Sequence, residues 1–97
     1  MDFGQALEAL KAGKRVARQG WNGKGMFVYM TVGNTVSKDF IPKFASLPES
    51  VKQFLEKRGE DVIFNPSITM LTATGELQPG WLASQTDMLA EDWTSLD

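Results

Sequence analysis

The run MFVYMTV, residues 26–32, constrains the fold of this chain more than any other segment does. It is rich in β-branched and aromatic residues, and its apolar side chains fall on both faces of an extended strand. A strand with two apolar faces is covered on both sides, which predicts a central strand of a sheet. The glycine-containing turns GWNGKG (20–25) and GNT (33–35) flank the run and reverse the chain at each end.

Three other segments have the spacing of helices. DFGQALEALKAGK (2–14) predicts an amphipathic helix that ends at its last glycine, and SQTDMLAEDW (84–93) predicts a short helix that Ser84 caps. LPESVKQFLEKRG (47–59) predicts a further helix that ends at the final glycine of the segment. The inward residues predicted for this helix are Val51, Phe54 and Leu55.

Short strands complete the predicted sheet. KRVAR (14–18), SITMLTATGELQPGW (67–81, with a tight turn in its middle) and WTSL (93–96) have strand-like composition. SKDFIPKFASLP (37–48) is predicted to be a connection, with buried anchors at Phe40, Ile41 and Phe44. The predicted fold class is therefore α+β, a small antiparallel sheet of four to five strands with two to three short helices packed on it.

The length of 97 residues predicts a single domain spanning 1–97. A domain of this size buries only about 60–65% of the surface that its unfolded chain exposes, so self-association would help it. With no histidine and no cysteine, the chain lacks the commonest general base and the strongest nucleophile at neutral pH. Asp87, Glu91 and Asp92 are candidates for paired carboxylates, although helix capping and solvated charge explain them better. No metal or cofactor is expected.

The glycine-rich turn favours binding over catalysis. Its glycines, Gly23 among them, let backbone N–H groups approach a phosphate, and Lys24 adds a positive charge. Asn22, in the same turn, is a further candidate ligand contact. Trp21 offers a flat face on which a base can stack. The alternative is that this ring is a buried plug. We favour stacking, because the neighbouring glycines leave little to bury the ring within its own chain.

The segment GWLASQTD (80–87) repeats the combination of a Gly-Trp pair and a polar helix start. Trp81 is a second candidate aromatic contact, although a core position explains it better. Ser84 and Asp87 are candidate hydrogen-bonding partners for ribose hydroxyls, and the competing interpretation is that they only cap the helix.

The net charge of -2 argues against binding to DNA or RNA, but the charges are unevenly distributed. Residues 1–25 are mainly basic, whereas residues 76–97 carry acidic side chains and no basic one. This asymmetry suits an anionic ligand or pairing between subunits, and plain solvation explains it too. The absence of a long apolar run predicts no membrane contact, and the lack of cysteine fits the cytoplasm.

Two stretches of the chain resemble a known family. DFGQALEALKAGKRVARQGWNGKGM (2–26) followed by GWLASQTDMLAEDW (80–93) is similar to the second type of Thoeris anti-defence protein, a phage and prophage family formerly described as a domain of unknown function. The likeness covers the two ends of the chain. The segment from about Ser37 to Asn65 has no comparable signature and is expected to vary.

The resemblance implies a protein that sequesters a signalling nucleotide. Family members bind cyclic ADP-ribose isomers, which bacterial TIR-domain enzymes make on infection, and hold them intact so that the Thoeris effector stays inactive. They form homotetramers with pockets at subunit boundaries, and some also hold cyclic di- or trinucleotides. In this chain Trp21 would stack on the adenine, Ser84 and Asp87 would meet the riboses, and Arg18 with Lys24 would neutralise the pyrophosphate.

Two other functions remain compatible with the residues. The tryptophans of a structural or assembly protein would be anchors at a subunit interface, where aromatic residues concentrate. An enzyme that degrades the same messenger would use Asp87 or Asp92. Recovery of the ligand from a heat-denatured complex, intact or converted, would separate these functions.

Overall fold

The computed structural model describes all residues, 1–97, and groups them into two compact units. The sheet unit comprises Met1–Thr31 and Ser67–Asp97, and the inserted unit comprises Val32–Pro66. The single domain expected from chain length stays a prediction. None of the helices has both the length and the apolar character that a membrane span requires.

The chain forms seven short strands, three α-helices and one 3-10 helix. In order they are α1 (Phe3–Lys11), β1 (Val16–Arg18), β2 (Phe27–Thr31), β3 (Asn34–Val36), a 3-10 helix (Lys38–Lys43), α2 (Glu49–Arg58), β4 (Val62–Phe64), β5 (Ser67–Leu71), β6 (Leu77–Pro79), α3 (Gln85–Leu89) and β7 (Trp93–Ser95). The segments from β3 to β4 form the inserted unit, and the remaining elements form the sheet unit.

The sheet unit contains one antiparallel sheet of five strands in the order β6-β5-β2-β1-β7. β2 lies at the centre, as its two apolar faces predict. It pairs with β5 along its whole length, and Val28 is the partner of Val16 on β1. The α+β fold class and the strand number predicted from the sequence are therefore confirmed.

The core of the sheet unit lies where α1 packs on this sheet. Ala6 and Leu10 of α1, four residues apart and so on one helix face, are fully or almost fully buried. They pack with Val16, Val28 and Trp93, which come from three neighbouring strands. Complete burial of one such aliphatic side chain contributes about 1.5–3 kcal/mol to stability. This core fixes the ends of β1 and β7, from which the candidate site is built.

The inserted unit has a small core of its own. β3 pairs antiparallel with β4, while α2 contacts the 3-10 helix. Its buried side chains are Val36, Ile41, Leu55 and Val62. Phe44 is partly buried and stacks on Phe64 with ring centroids 5.0 Å apart.

Some burial predictions in the inserted unit are wrong. Phe54 is 65% exposed, Val51 is 38% exposed and Phe40 is 59% exposed, although all three were expected to face inward. The reason is the size of this core, which α2 covers with Leu55 alone. Of the anchors predicted in the connecting segment, Ile41 is buried and Phe44 is partly buried, whereas Phe40 is not.

Candidate ligand-binding site

The glycine-rich turn between β1 and β2 is anchored at its first two residues. The Gly20 amide donates to Oδ2 of Asp92 at 2.7 Å, and the Trp21 amide donates to the carbonyl of Arg18 at 3.3 Å. A Cβ atom at Gly20 would lie 2.8 Å from the same carboxylate oxygen. A side chain at this position would therefore require the carboxylate to shift away from the backbone amide.

The tip of the turn is accessible to solvent. Asn22 and Lys24 are exposed, and Lys24 forms no ion pair. Gly23 lies so close to Met26 and Ala73 that a Cβ atom would overlap both side chains. The amide groups of residues 22–25 donate to no acceptor within the chain. The tip thus offers one cation and several backbone donors to solvent.

The three tryptophans of the chain form one cluster beside this turn. The Trp21 ring centroid lies 5.3 Å from that of Trp93 and 6.1 Å from that of Trp81, in edge-to-face geometry. Trp81 and Trp93 are 6.2 Å apart in the same geometry. Trp93 is 2% exposed, whereas the other two rings are partly buried and keep some contact with solvent.

The expectation that Trp21 has little to bury it within its own chain is therefore wrong. Its neighbours come from the end of the chain and not from the turn, so the surrounding glycines gave no indication of them. Trp81 also packs against the core, as the alternative interpretation held. Both rings nevertheless remain partly accessible, so stacking on a ligand stays a prediction.

Asp87 connects the cluster to helix α3. Its side chain and that of Ser84 form a reciprocal capping box at the start of α3, which confirms the predicted cap. Oδ1 of the same carboxylate accepts a hydrogen bond from Nε1 of Trp21 at 3.2 Å. The backbone carbonyl of Asp87 accepts from Nε1 of Trp93 at 2.9 Å. One residue therefore holds two of the three indoles.

Arg18, the last residue of β1, bridges two carboxylates. Its Nε donates to Oδ1 of Asp92 at 2.8 Å, and its Nη1 donates to Oδ1 of Asp87 at 2.9 Å. Only 15% of the arginine side chain is exposed. The guanidinium expected to neutralise a pyrophosphate is thus already paired within the chain.

This pairing shifts the protonation equilibria of the three groups. The hydrogen bond from Arg18 lowers the pKa of Asp92 below its usual range. Burial alone would raise the pKa of Asp87, but hydrogen bonds from Arg18, Trp21 and Ser84 outweigh it and the pKa is lowered. The hydrogen bonds that Arg18 donates to Asp92 and Asp87 raise its own pKa. All three groups are therefore charged at neutral pH.

The structure brings together most of the predicted site residues. Arg18, Trp21 and Asp87 are in direct contact, with Ser84 bonded to Asp87 and Trp81 against the Trp21 ring. Asn22, Gly23 and Lys24 form the exposed end of the same turn. No contact among the residues tests ligand binding, so the site itself stays a prediction.

Asp92 and Trp93 belong to this cluster, although sequence reasoning gave neither a place in the site. The sequence offered Asp92 as solvated charge, as one member of a carboxylate pair or as a catalytic residue of a degrading enzyme, and not as a partner of Arg18. The signal that could have revealed both residues is the pairing of β1 with β7. Arg18 lies opposite Trp93, and Asp92, the residue before Trp93, places its carboxylate next to the arginine. A strand register cannot be read from one strand alone, which is why the partnership was missed.

Comparison with known proteins agrees with the sequence resemblance. The model of the Thoeris anti-defense 2-like domain matches residues 1–96. The chain belongs to the Thoeris anti-defense 2-like family. It is also 38% identical over 93 residues to Thoeris anti-defense 2 of Bacillus phage SP01, a match that covers 96% of this chain and 91% of the relative. The family resemblance drawn from the two end segments is therefore confirmed, and it extends across the middle of the chain.

Proposed function

We propose that this protein is a phage anti-defence sponge that binds cyclic ADP-ribose isomers in the cytoplasm of an infected bacterium and holds them without cleavage. The Thoeris effector would then stay inactive. The observation that carries this proposal is the family match along residues 1–96. The relative from Bacillus phage SP01 is itself named Thoeris anti-defense 2.

The chemistry of the candidate site supports this class of ligand. A cyclic ADP-ribose isomer has an adenine to stack, riboses to hydrogen-bond and a pyrophosphate to neutralise. Trp21 keeps part of its ring accessible, and Lys24 is a free cation on the same turn. Oδ2 of Asp87 accepts one hydrogen bond, from the Ser84 amide, so the carboxylate retains capacity for a ribose hydroxyl.

The partners of the carboxylates favour binding over catalysis. Asp87 and Asp92 are both paired with Arg18, and their lowered pKa values keep them ionised. A general acid needs a raised pKa, which an arginine partner opposes. The tryptophans also contact one another within the chain, which weakens the argument that they are only interface anchors.

Sequestration requires tight binding. To suppress a messenger present near micromolar concentration, the dissociation constant should be nanomolar, a binding free energy of about -12 kcal/mol. A pocket lined by more than one subunit would supply more contacts than one turn can. We therefore propose that the sponge acts as a homo-oligomer, most simply a tetramer. Light scattering should then give a mass several times the 10.7 kDa of the chain.

The test of the proposed function is uptake and recovery of the ligand. The purified protein is titrated calorimetrically with synthetic cyclic ADP-ribose isomers, the complex is heat-denatured, and the released molecule is identified by mass spectrometry. We expect nanomolar uptake and an unchanged mass. A converted product would indicate an enzyme, and no uptake of any isomer would contradict the proposal. Cyclic di- and trinucleotides, added to the saturated complex, test whether further pockets exist.

A further inference from the structure

Arg18 connects three separate parts of the sheet unit. It ends β1, and its guanidinium reaches Asp87 on α3 and Asp92 immediately before β7. The side chain of Arg18 is 15% exposed and that of Asp87 is 13% exposed, so this ion pair is largely shielded from water. Every hydrogen bond that the guanidinium makes runs to one of these two carboxylates.

Each carboxylate in turn holds a different part of the glycine-rich turn. Oδ2 of Asp92 accepts the Gly20 amide at 2.7 Å and so fixes the backbone. Oδ1 of Asp87 accepts the indole N–H of Trp21 at 3.2 Å and so fixes the ring. Arg18 thus holds in place the two acceptors on which the conformation of the turn depends.

The charge of this cluster opposes direct contact between Arg18 and a phosphate. One guanidinium and two carboxylates leave a net charge of -1. A phosphate that reached the guanidinium would approach both carboxylates, and unlike the guanidinium they would repel it. Lys24, on the accessible tip of the turn, has no acidic partner and faces no such cost.

We propose that Arg18 is a positioning residue, which holds the turn and the Trp21 ring in the binding conformation through Asp92 and Asp87 and touches no ligand phosphate. This inference rests on the proposed function for its ligand, although the ordering of the turn is a property of the free protein. Preordering matters because affinity falls in proportion to the fraction of molecules in the competent conformation.

The substitution Asp92→Asn separates positioning from direct contact by the sign of its effect. It removes a negative charge and frees the guanidinium, so direct contact between Arg18 and a phosphate predicts tighter binding of a cyclic ADP-ribose isomer. Positioning predicts weaker binding, on the order of tenfold if the competent fraction falls to about one tenth. Glu91→Gln is the matched control, since it makes the same charge change at an exposed neighbour outside the network. The proposal would be overturned if Asp92→Asn bound the cyclic ADP-ribose isomer more tightly than the Glu91→Gln control does.

A second measurement needs no ligand. The three tryptophans give three indole N–H signals in a proton–nitrogen correlation spectrum, and Trp21→Phe identifies one of them. Arg18→Lys keeps the charge but cannot present the planar fork that bridges two carboxylates. We expect its Trp21 indole to shift and to exchange with solvent on the order of ten times faster, in proportion to the loss of the ordered conformation. The Trp93 indole, bonded to a backbone carbonyl, should move little and reports that the protein is folded.

The two measurements fail in distinguishable ways. If no cyclic ADP-ribose isomer binds the wild-type protein, the proposed function fails while the indole spectra still test the positioning role. If the Trp21 signal and its exchange are unchanged in Arg18→Lys, the positioning role is wrong whatever the ligand. Should Asp92→Asn not fold, Arg18→Lys replaces it in the titration. If Arg18 contacts a phosphate directly, Arg18→Lys should nearly retain the affinity for the ligand. If Arg18 is a positioning residue, the affinity should be lost.

Discussion

Replacing Trp21 by alanine should lower both the stability of the free protein and its affinity for ligand. The ring makes edge-to-face contacts with Trp93 at 5.3 Å and with Trp81 at 6.1 Å. Its N–H group also donates to the carboxylate of Asp87 at 3.2 Å. A ring with these contacts is part of the fold, so its loss should destabilise the free protein as well as weaken binding.

The expected loss in the free energy of unfolding follows from these contacts. An aromatic pair contributes about 0.5–1.5 kcal/mol beyond its buried area, and a hydrogen bond to a charged group about 1.5–3 kcal/mol. A fully buried tryptophan loses about 3–5 kcal/mol on replacement by alanine. Since Trp21 is only partly buried and Asp87 keeps its bond to Arg18, we expect about 2–4 kcal/mol. For a chain of this length that lowers the melting temperature by about 8–32 °C.

Thermal melts and calorimetric titrations on the same samples check this expectation. Trp21→Phe, which keeps a ring but loses the N–H donor, should recover part of both losses. Leu82→Ala is the control for an exposed apolar residue beside the cluster, because Leu82 is 89% exposed and its loss should change stability by less than about 0.5 kcal/mol. A Trp21→Ala protein that melts within about 3 °C of wild type would refute the assignment of this ring to the core.

Three further outcomes are expected. The urea midpoint should fall as the pH is lowered from about 5 through the usual carboxyl pKa of about 3.9, and it should fall less in Asp87→Asn, because the hydrogen bonds that lower the pKa of Asp87 in the fold stabilise only its ionised form. Lys24→Ala should weaken ligand binding and flatten its salt dependence in titrations at several ionic strengths, whereas Lys57→Ala, an exposed lysine of the inserted unit, should do neither. Leu55→Ala should cost about 2–5 kcal/mol in urea unfolding, whereas Phe54→Ser, on the exposed side of α2, should cost less than about 0.5 kcal/mol.

The elements that the sequence predicts well are those that depend on neighbouring residues. The central position of β2 follows from the composition of one seven-residue run, and the Ser84 cap of α3 follows from a side chain and an amide three residues apart. Gly59 likewise ends α2 in the left-handed conformation that glycine adopts most readily. In each case the deciding interaction is local, so a single sequence contains the information.

What the sequence does not predict depends on partners far apart along the chain. Arg18 is separated from Asp87 by 69 positions and from Asp92 by 74, and no pattern near any of them indicates the others. The inward face of α2 was misjudged for a related reason. The number of apolar side chains that a helix can bury depends on the size of the core opposite it, and here that core is small.

The overlap between core and candidate site explains how a short turn could bind tightly. Immobilising a side chain on binding costs about 0.5–1.5 kcal/mol, and a glycine-rich backbone loses more freedom than any other. In this protein much of that ordering is already present without ligand, because Asp92 fixes the Gly20 amide and Asp87 fixes the Trp21 ring. The binding energy from stacking and from Lys24 would then not be offset by the cost of ordering the turn. Loss of the network should therefore weaken binding even where every group that meets the ligand is retained.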